Sequence, residues 1–445
     1  MMVDRTQAPP TQLPTKLQLI TPSITTSPGG VTIHSLYAPS ADVVRVSLVF
    51  DVGSRQQKKF FQASTTAAML SEGCQDKSSA QIADHFDFYG IYYDQSVDCD
   101  STIFTIAATN KFLGQALDML SRMLARPTFP LHELEVYKAK RRQQMAIDNQ
   151  KPVVTASRGF LAALFGSDHP YGRTNDGEAI DELGREDLVD FAQQWLVAKN
   201  MFVVCSGNVT PQALAAISQG VDSIPGGQKT ADQAPAPIAV HQTHCRAIRD
   251  KATQASIRMG CLMPGKNDPD FIPLQLLVTV LGGYFSSRLM QNLREERGYT
   301  YGVSAGLMTL KYATYMAIGC QVESEVEEQA IEQIIYEIER LATEEVAPEE
   351  LAMAKNTIIG ELMRLLDGPF GIADIAIENL QSGVSVDYVN QFLTRISSTT
   401  ASELMALAAR YFDTRSMVDM VVGRAVKSPS LLPPCKGKQG EGCPN

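Results

Sequence analysis

Hydrophobic and polar positions along this chain follow two periods, and the periods recur in the same order in its two halves. In the first half, KFLGQALDMLSRMLARPTF (from Lys111) places apolar residues three and four apart, the spacing of one helical face. PLHELEVYKAK (from Pro130) then opens a new helix, with Pro at its start and acids in its first turn. In the second half, VEEQAIEQIIYEIERLATEEVA (from Val326) precedes PEELAMAKN (from Pro348) in the same way. Near the end of each half an amphipathic helix, a short break and a β-branched strand follow one another. The first is DLVDFAQQWLVAKNMFVVCSG (from Asp187) and the second ELMALAARYFDTRSMVDMVVG (from Glu403), closing in Gly207 and Gly423. VVRVSLVFDVG (from Val43) and TYMAIGCQV (from Thr314) read as further strands. The expected fold is α+β, with two tandem homologous domains, each a mostly antiparallel sheet with helices packed on one face.

Between the copies, DSIPGGQKTADQAPAPIAV (from Asp222) clusters Pro, Gly, Ala and Gln without hydrophobic period and reads as a linker. The expected boundaries are 17–222 and 241–427 for the domains, 223–240 for the linker and 428–445 for an unstructured tail. A chain of 445 residues exceeds one compact core, so two domains fit its size. The net charge of −10 argues against nucleic acid, whose partners carry a basic stripe. No apolar run reaches the roughly 20 residues needed to cross a bilayer, so no membrane partner is expected. The first 20 residues hold neither a signal-peptide core nor the arginines of a transit peptide, and a cytoplasmic setting is expected. Eight scattered cysteines suit reduced thiols; only Cys435 and Cys443 stand close together, as a tail disulfide, a metal clip or two residues of a disordered end.

Four segments carry a family resemblance: DVGSRQQ (from Asp51), HPYGR (from His169), AKNMFVVCSGNV (from Ala198) and LGGYFSSRLMQNLREERGYTYGVSAG (from Leu281). With these, in this order from about Val43 to Val426, the chain resembles the pitrilysin/insulinase family, the inverzincin zinc peptidases. Its size is most similar to the bacterial branch with separate half-length subunits, which is itself similar to mitochondrial processing peptidase. The resemblance implies an H-x-x-E-H helix, two histidines on one helical face holding zinc and the glutamate acting as general base. A further glutamate some 70 to 80 residues on completes the family's metal site.

The corresponding helix here is FFQASTTAAMLSEG. Anchored on MLSEG, the family pattern puts the histidine positions at Ser64 and Ala68 and the general base at Ala67. A hydroxyl and two methyls cannot ligate zinc or take a proton. No register shift repairs this, because no histidine lies between His34 and His85. The alignment puts Tyr137 and Gln144 at the family's downstream acid positions. Of the remaining histidines, His241 and His244 before Cys245 have a metal-like spacing, but strand alternation would send them to opposite faces. His85 ends an amphipathic helix and suits a local hydrogen bond; His169 sits in a turn.

What the resemblance implies is retained lies in LREERGYTY. The family has an arginine–tyrosine pair here that reaches the zinc site of the other half, and the positions are Arg294 and Tyr301. A guanidinium can fork onto a carbonyl, and a phenol can donate to the oxyanion of a tetrahedral intermediate. A turn of Gly282, Gly283, Ser286, Ser287 and Arg288 leads into that helix and is expected to position Arg294. The expected function is therefore a zinc-less subunit of a heterodimeric metallopeptidase. It would hold no cofactor itself, and its partner would be a homologous H-x-x-E-H subunit carrying the zinc. Unfolded peptides would bind as an added strand at a sheet edge. The rival readings are a non-catalytic scaffold member of the family and an enzyme active alone.

Overall fold

The computed structural model describes residues 14 and 16–424, apart from 176, 231, 237, 239–242, 250, 251 and 386. The tail with Cys435 and Cys443, and His241, lie outside the described residues.

Two sheets organise the chain, and their topology is the same. In the first, Thr32–Tyr37 lies beside Met201–Gly207, followed by Val43–Phe50, Thr102–Thr109 and Tyr92–Val97; Ser23–Thr26 adds a sixth strand outside Thr32–Tyr37. In the second the order is His244–Ile248, Val418–Gly423, Gln254–Met263, Thr314–Glu323 and Val303–Thr309. Each half thus places its first strand, last strand, second, fourth and third side by side. Only the first and last strands pair in parallel, Ile33 with Val203 and Asp419 with His244; the other pairs are antiparallel. The duplicated sequence pattern is a duplicated fold.

The central strands are buried on both faces, and alternation divides them between different cores. In Val418–Gly423 the side chains of Val418, Met420 and Val422 enter one cluster, while Val421 enters the main core of the second half. In Met201–Gly207, Val203 and Cys205 join the main core of the first half and Val204 a separate one. The reason is an exchange of helices. Pro152–Phe165, from the first half, packs on the outer face of the second sheet, where Ala156, Phe160 and Leu164 meet Val418 and Met420. Gly368–Gln381, from the second half, packs on the first sheet, with Ala373 and Ile377 against Leu36, Val49 and Val204. Arg45 fixes this second contact, donating to Asp374 at 2.6 Å and to the Phe370 carbonyl at 2.7 Å. Each half covers one face of its sheet with its own helices and the other with a helix borrowed from its neighbour.

The low-hydropathy stretch after Asp222 joins the halves but is pinned at several points. Ile224 is buried in the first core, and the carbonyls of Pro225 and Gly226 accept the N–H groups of Ala198 and Lys199. Asp232 then bridges the two halves. Its carboxylate accepts from Arg55 at 2.5 Å, from Lys311 at 2.7 Å and from the Tyr312 hydroxyl at 2.5 Å. Arg55 also donates to Asp100 at 2.7 Å, and the Tyr171 hydroxyl of the HPYGR turn donates to the same Asp100 at 2.9 Å. Burial would raise the Asp232 carboxyl, but hydrogen bonds from Lys311, Tyr312 and Arg55 outweigh it and hold the group down at about 2.

Candidate functional site

The helix that carries Ser64, Ala67 and Ala68 is short, Gln62–Met69, and it leaves from Phe61 in the left-handed region at φ 65°. It packs on Arg185–Trp195 and on Tyr92–Val97, and the Gln62 amide donates to the Asp187 carbonyl at 2.7 Å. Ser64 and Ala68, one helical turn apart, are both half-buried. The Ser64 hydroxyl is spent on its own helix, donating to the Phe61 carbonyl at 3.2 Å. Ala67 points into the core and is 1% exposed.

The downstream positions do not converge on this helix as ligands. Tyr137, on Leu131–Asn149, is half-buried against the first core. Gln144, on the same helix, is exposed and donates to Asp148 at 3.1 Å. One cation of that helix lies at the start of the Gln62–Met69 helix instead, the Arg141 guanidinium standing 5.7 Å from the Phe61 ring centre. Buried Lys138 donates to Glu135 on its own helix at 3.0 Å. A hydroxyl, two methyls, a phenol and a carboxamide do not fit a zinc ion. Among the described residues, no group of three or more His, Cys, Asp or Glu side chains is placed to hold a metal. His244, on a strand edge, directs Nδ1 to Asp419. His85 makes no local bond of the kind its position suggested; its Nε2 lies 3.2 Å from the Gln115 carbonyl, 30 residues on in the next helix.

The arginine and tyrosine of the second half occupy a different setting. Phe271–Gly282 ends against the edge strand so closely that a Cβ on Gly282 would lie 2.7 Å from the Ala305 backbone nitrogen. The turn that follows is anchored by Arg288, which forks onto Glu350 of Pro348–Leu365 at 2.8 and 3.1 Å. The next helical segment, Met290–Glu296, is wound as a π-helix. Its buried face carries Leu293 and Asn292; Asn292 donates to buried Glu337 at 2.7 Å and accepts from Arg297 at 2.9 Å. Arg294 faces outward, its guanidinium 4.6 Å over the ring centre of Phe285 and only 3.6 Å from the neighbouring Glu295 carboxylate. Gly298, at φ 66°, reverses the chain, and Tyr301 follows with 93% of its surface exposed, two residues before the edge strand Val303–Thr309.

Three residues of this surface escaped the sequence reading. Phe285, 63% exposed, lies under Arg294 although it reads as an ordinary turn aromatic. Asn292 falls three residues after Leu289 on the buried side, a polar residue at an apolar spacing, and that was its only signal. Thr300 had none, because its partners are backbone groups, of Gly302 and of Gln321 on the neighbouring strand.

Comparison with known proteins agrees with the duplicated fold. Residues 32–172 match the family model described as Insulinase (Peptidase family M16), and residues 182–358 match that described as Peptidase M16 inactive domain. An uncharacterized zinc protease of Mycobacterium bovis is 24% identical over 406 residues, which cover 89% of this chain and 92% of that protein. One of Streptomyces coelicolor is also 24% identical, covering 93% of this chain and 90% of its own. A Pseudomonas fluorescens structure, described as a peptidase M16 inactive domain, superposes with a TM-score of 0.83 at 23% identity, covering 92% of this chain and 100% of that one. With both halves matched in order and the tandem fold in place, the chain belongs to peptidase family M16, the insulinase family.

Proposed function

We propose that this chain is the zinc-less subunit of a two-chain metallopeptidase. It lends Arg294 and Tyr301 to the site of a homologous partner whose H-x-x-E-H helix holds the zinc. The observation that carries this reading is Tyr301: a phenol turned out of its own fold into solvent, seven residues after a half-exposed guanidinium, on a turn anchored by the Arg288–Glu350 ion pair and the Asn292–Glu337 hydrogen bond. A tyrosine that served packing alone would gain by covering its ring.

The edge strand beginning at Val303 gives the substrate a place. Val303–Thr309 ends its sheet, so its outer backbone groups are free to pair with an extended peptide. A peptide added there runs past Tyr301, whose hydroxyl donates to the oxyanion as the scissile carbonyl becomes tetrahedral, while Arg294 holds a neighbouring carbonyl or carboxylate. The first sheet ends in Tyr92–Val97 and offers a second edge of the same kind. The six described cysteines are free thiols, in keeping with a reducing, cytoplasm-like setting; burial pushes Cys205 and Cys261 up to about 12. No helix among the described residues is long and apolar enough to cross a membrane.

The test is the Tyr301→Phe variant, assembled with an M16 chain that carries H-x-x-E-H and assayed on unstructured peptides. Loss of one oxyanion donor should lower kcat by about a hundredfold or more with little change in KM. Normal assembly with the parent rate would make the chain a scaffold.

A further inference from the structure

Tyr301 is fully exposed, yet the backbone on both sides of it is held. Upstream, beyond the π-helical segment, the Tyr299 N–H donates back to the Leu293 carbonyl at 2.8 Å, closing the helix end around Gly298. Downstream, Val303 is already in the ladder opposite Cys320. Between them stands Thr300, 9% exposed, with its hydroxyl turned inward. That hydroxyl donates to the Gln321 carbonyl of the neighbouring strand at 2.6 Å, with the Gly302 carbonyl also in reach at 2.9 Å, and it accepts the Gly302 N–H at 3.1 Å. One side chain thereby fastens the residues before and after Tyr301 to each other and to the sheet.

We infer that Thr300 is a positioning residue for Tyr301, a clasp that fixes the backbone of an exposed phenol so that only its side-chain torsions remain free. The inference rests on the two-chain reading for its catalytic consequence, but the clasp itself is a property of this chain. The chemistry favours it: an oxyanion donor helps most when it is already aimed, because reorienting it during the reaction forfeits part of its stabilisation. The glycines at 298 and 302 make the need plain. Gly298 supplies the left-handed turn, and a Cβ at Gly302 would meet no atom within contact distance, so sterics alone leave this loop loose. The threonine hydroxyl supplies what the glycines do not.

The experiment is hydrogen exchange on the full-length chain, read at the amides of residues 299–303, for parent, Thr300→Val and Thr300→Ser. Valine keeps the shape and removes the hydroxyl; serine restores it. Loss of the clasp should speed local exchange by about five- to tenfold, the effect of one hydrogen bond, with protection elsewhere unchanged. Faster exchange in valine that serine returns to the parent rate supports the role, and parent-like exchange in valine overturns it. If valine lowers Tm across the molecule, Thr300→Ala gives an independent reading of the same amides under the same criteria. In the assembled two-chain enzyme, Thr300→Val should lower kcat about tenfold at unchanged KM, a fraction of the loss from removing the donor. An unchanged kcat would make Thr300 merely structural. A parent rate in Tyr301→Phe would remove the two-chain reading while leaving the exchange arm to judge the clasp.

Discussion

Asp232→Asn tests whether the strap between the halves is a structural bolt. The change preserves shape and one accepting oxygen, and removes the charge that meets Arg55, Lys311 and the Tyr312 hydroxyl. Neither cation is orphaned by it, since Arg55 keeps Asp100 and Lys311 keeps Asp51 at 2.5 Å. The magnitude follows from the carboxyl's titration. A group at 3.8 when unfolded and about 2 when folded contributes about 2 kcal/mol, and with a side chain only 20% exposed little of this is screened. Because the folded value is depressed, that stability is fully present above about pH 4 and is lost as pH falls through about 2. Urea unfolding at pH 7 should therefore show Asp232→Asn less stable by about 2 kcal/mol. The gap between variant and parent should hold constant from pH 7 to 5 and narrow below pH 4. The single tryptophan, Trp195, packs against the first core and reports that half, while far-ultraviolet circular dichroism reports both. If the strap couples the halves, the two signals should coincide in the parent and separate in the variant. An unchanged midpoint at pH 7, or a gap insensitive to acid, would refute the reasoning.

Other consequences can be measured directly. After mild chelation and dialysis, elemental analysis of the chain should find well under one zinc per molecule; stoichiometric zinc would mean a site the described residues do not reveal. The triple variant Ser64→His, Ala67→Glu, Ala68→His should show no chelator-sensitive peptidase activity alone, because Tyr137 and Gln144 offer no carboxylate and the Arg141 cation stands at the start of the helix. It should also lose about 2 kcal/mol or more in urea unfolding, since Ala67 is 1% exposed and a glutamate there buries a charge. In the assembled enzyme, Arg294→Ala should raise KM about tenfold, the order expected for a charged hydrogen bond, and an unchanged KM would mean that Arg294 does not hold the substrate.

Much of this protein was legible in its residues. The helix–helix and helix–strand sequences that repeat around Pro130 and Pro348, and around Asp187 and Glu403, predicted a duplicated α+β unit. Both sheets share one strand order. The chemistry of Ser64, Ala67 and Ala68 is likewise a matter of residue type, since no packing can turn a hydroxyl and two methyls into zinc donors. Periodicity, however, says which face of an element is buried, never what buries it. Nothing in PVVTASRGFLAALF (from Pro152) announces that Phe160 and Leu164 cover the sheet of the other half, or that Ala373 and Ile377 return the exchange. The stretch after Asp222 read as a linker for a related reason. Its anchors are a carboxylate, a few carbonyls and Ile224, so it lacks the hydrophobic period by which sequence reveals attachment, and only the folded chain brings Arg55 and Lys311 to Asp232. The clasp beside Tyr301 also belongs to tertiary structure, since the Gln321 carbonyl that Thr300 reaches is brought close only by strand pairing.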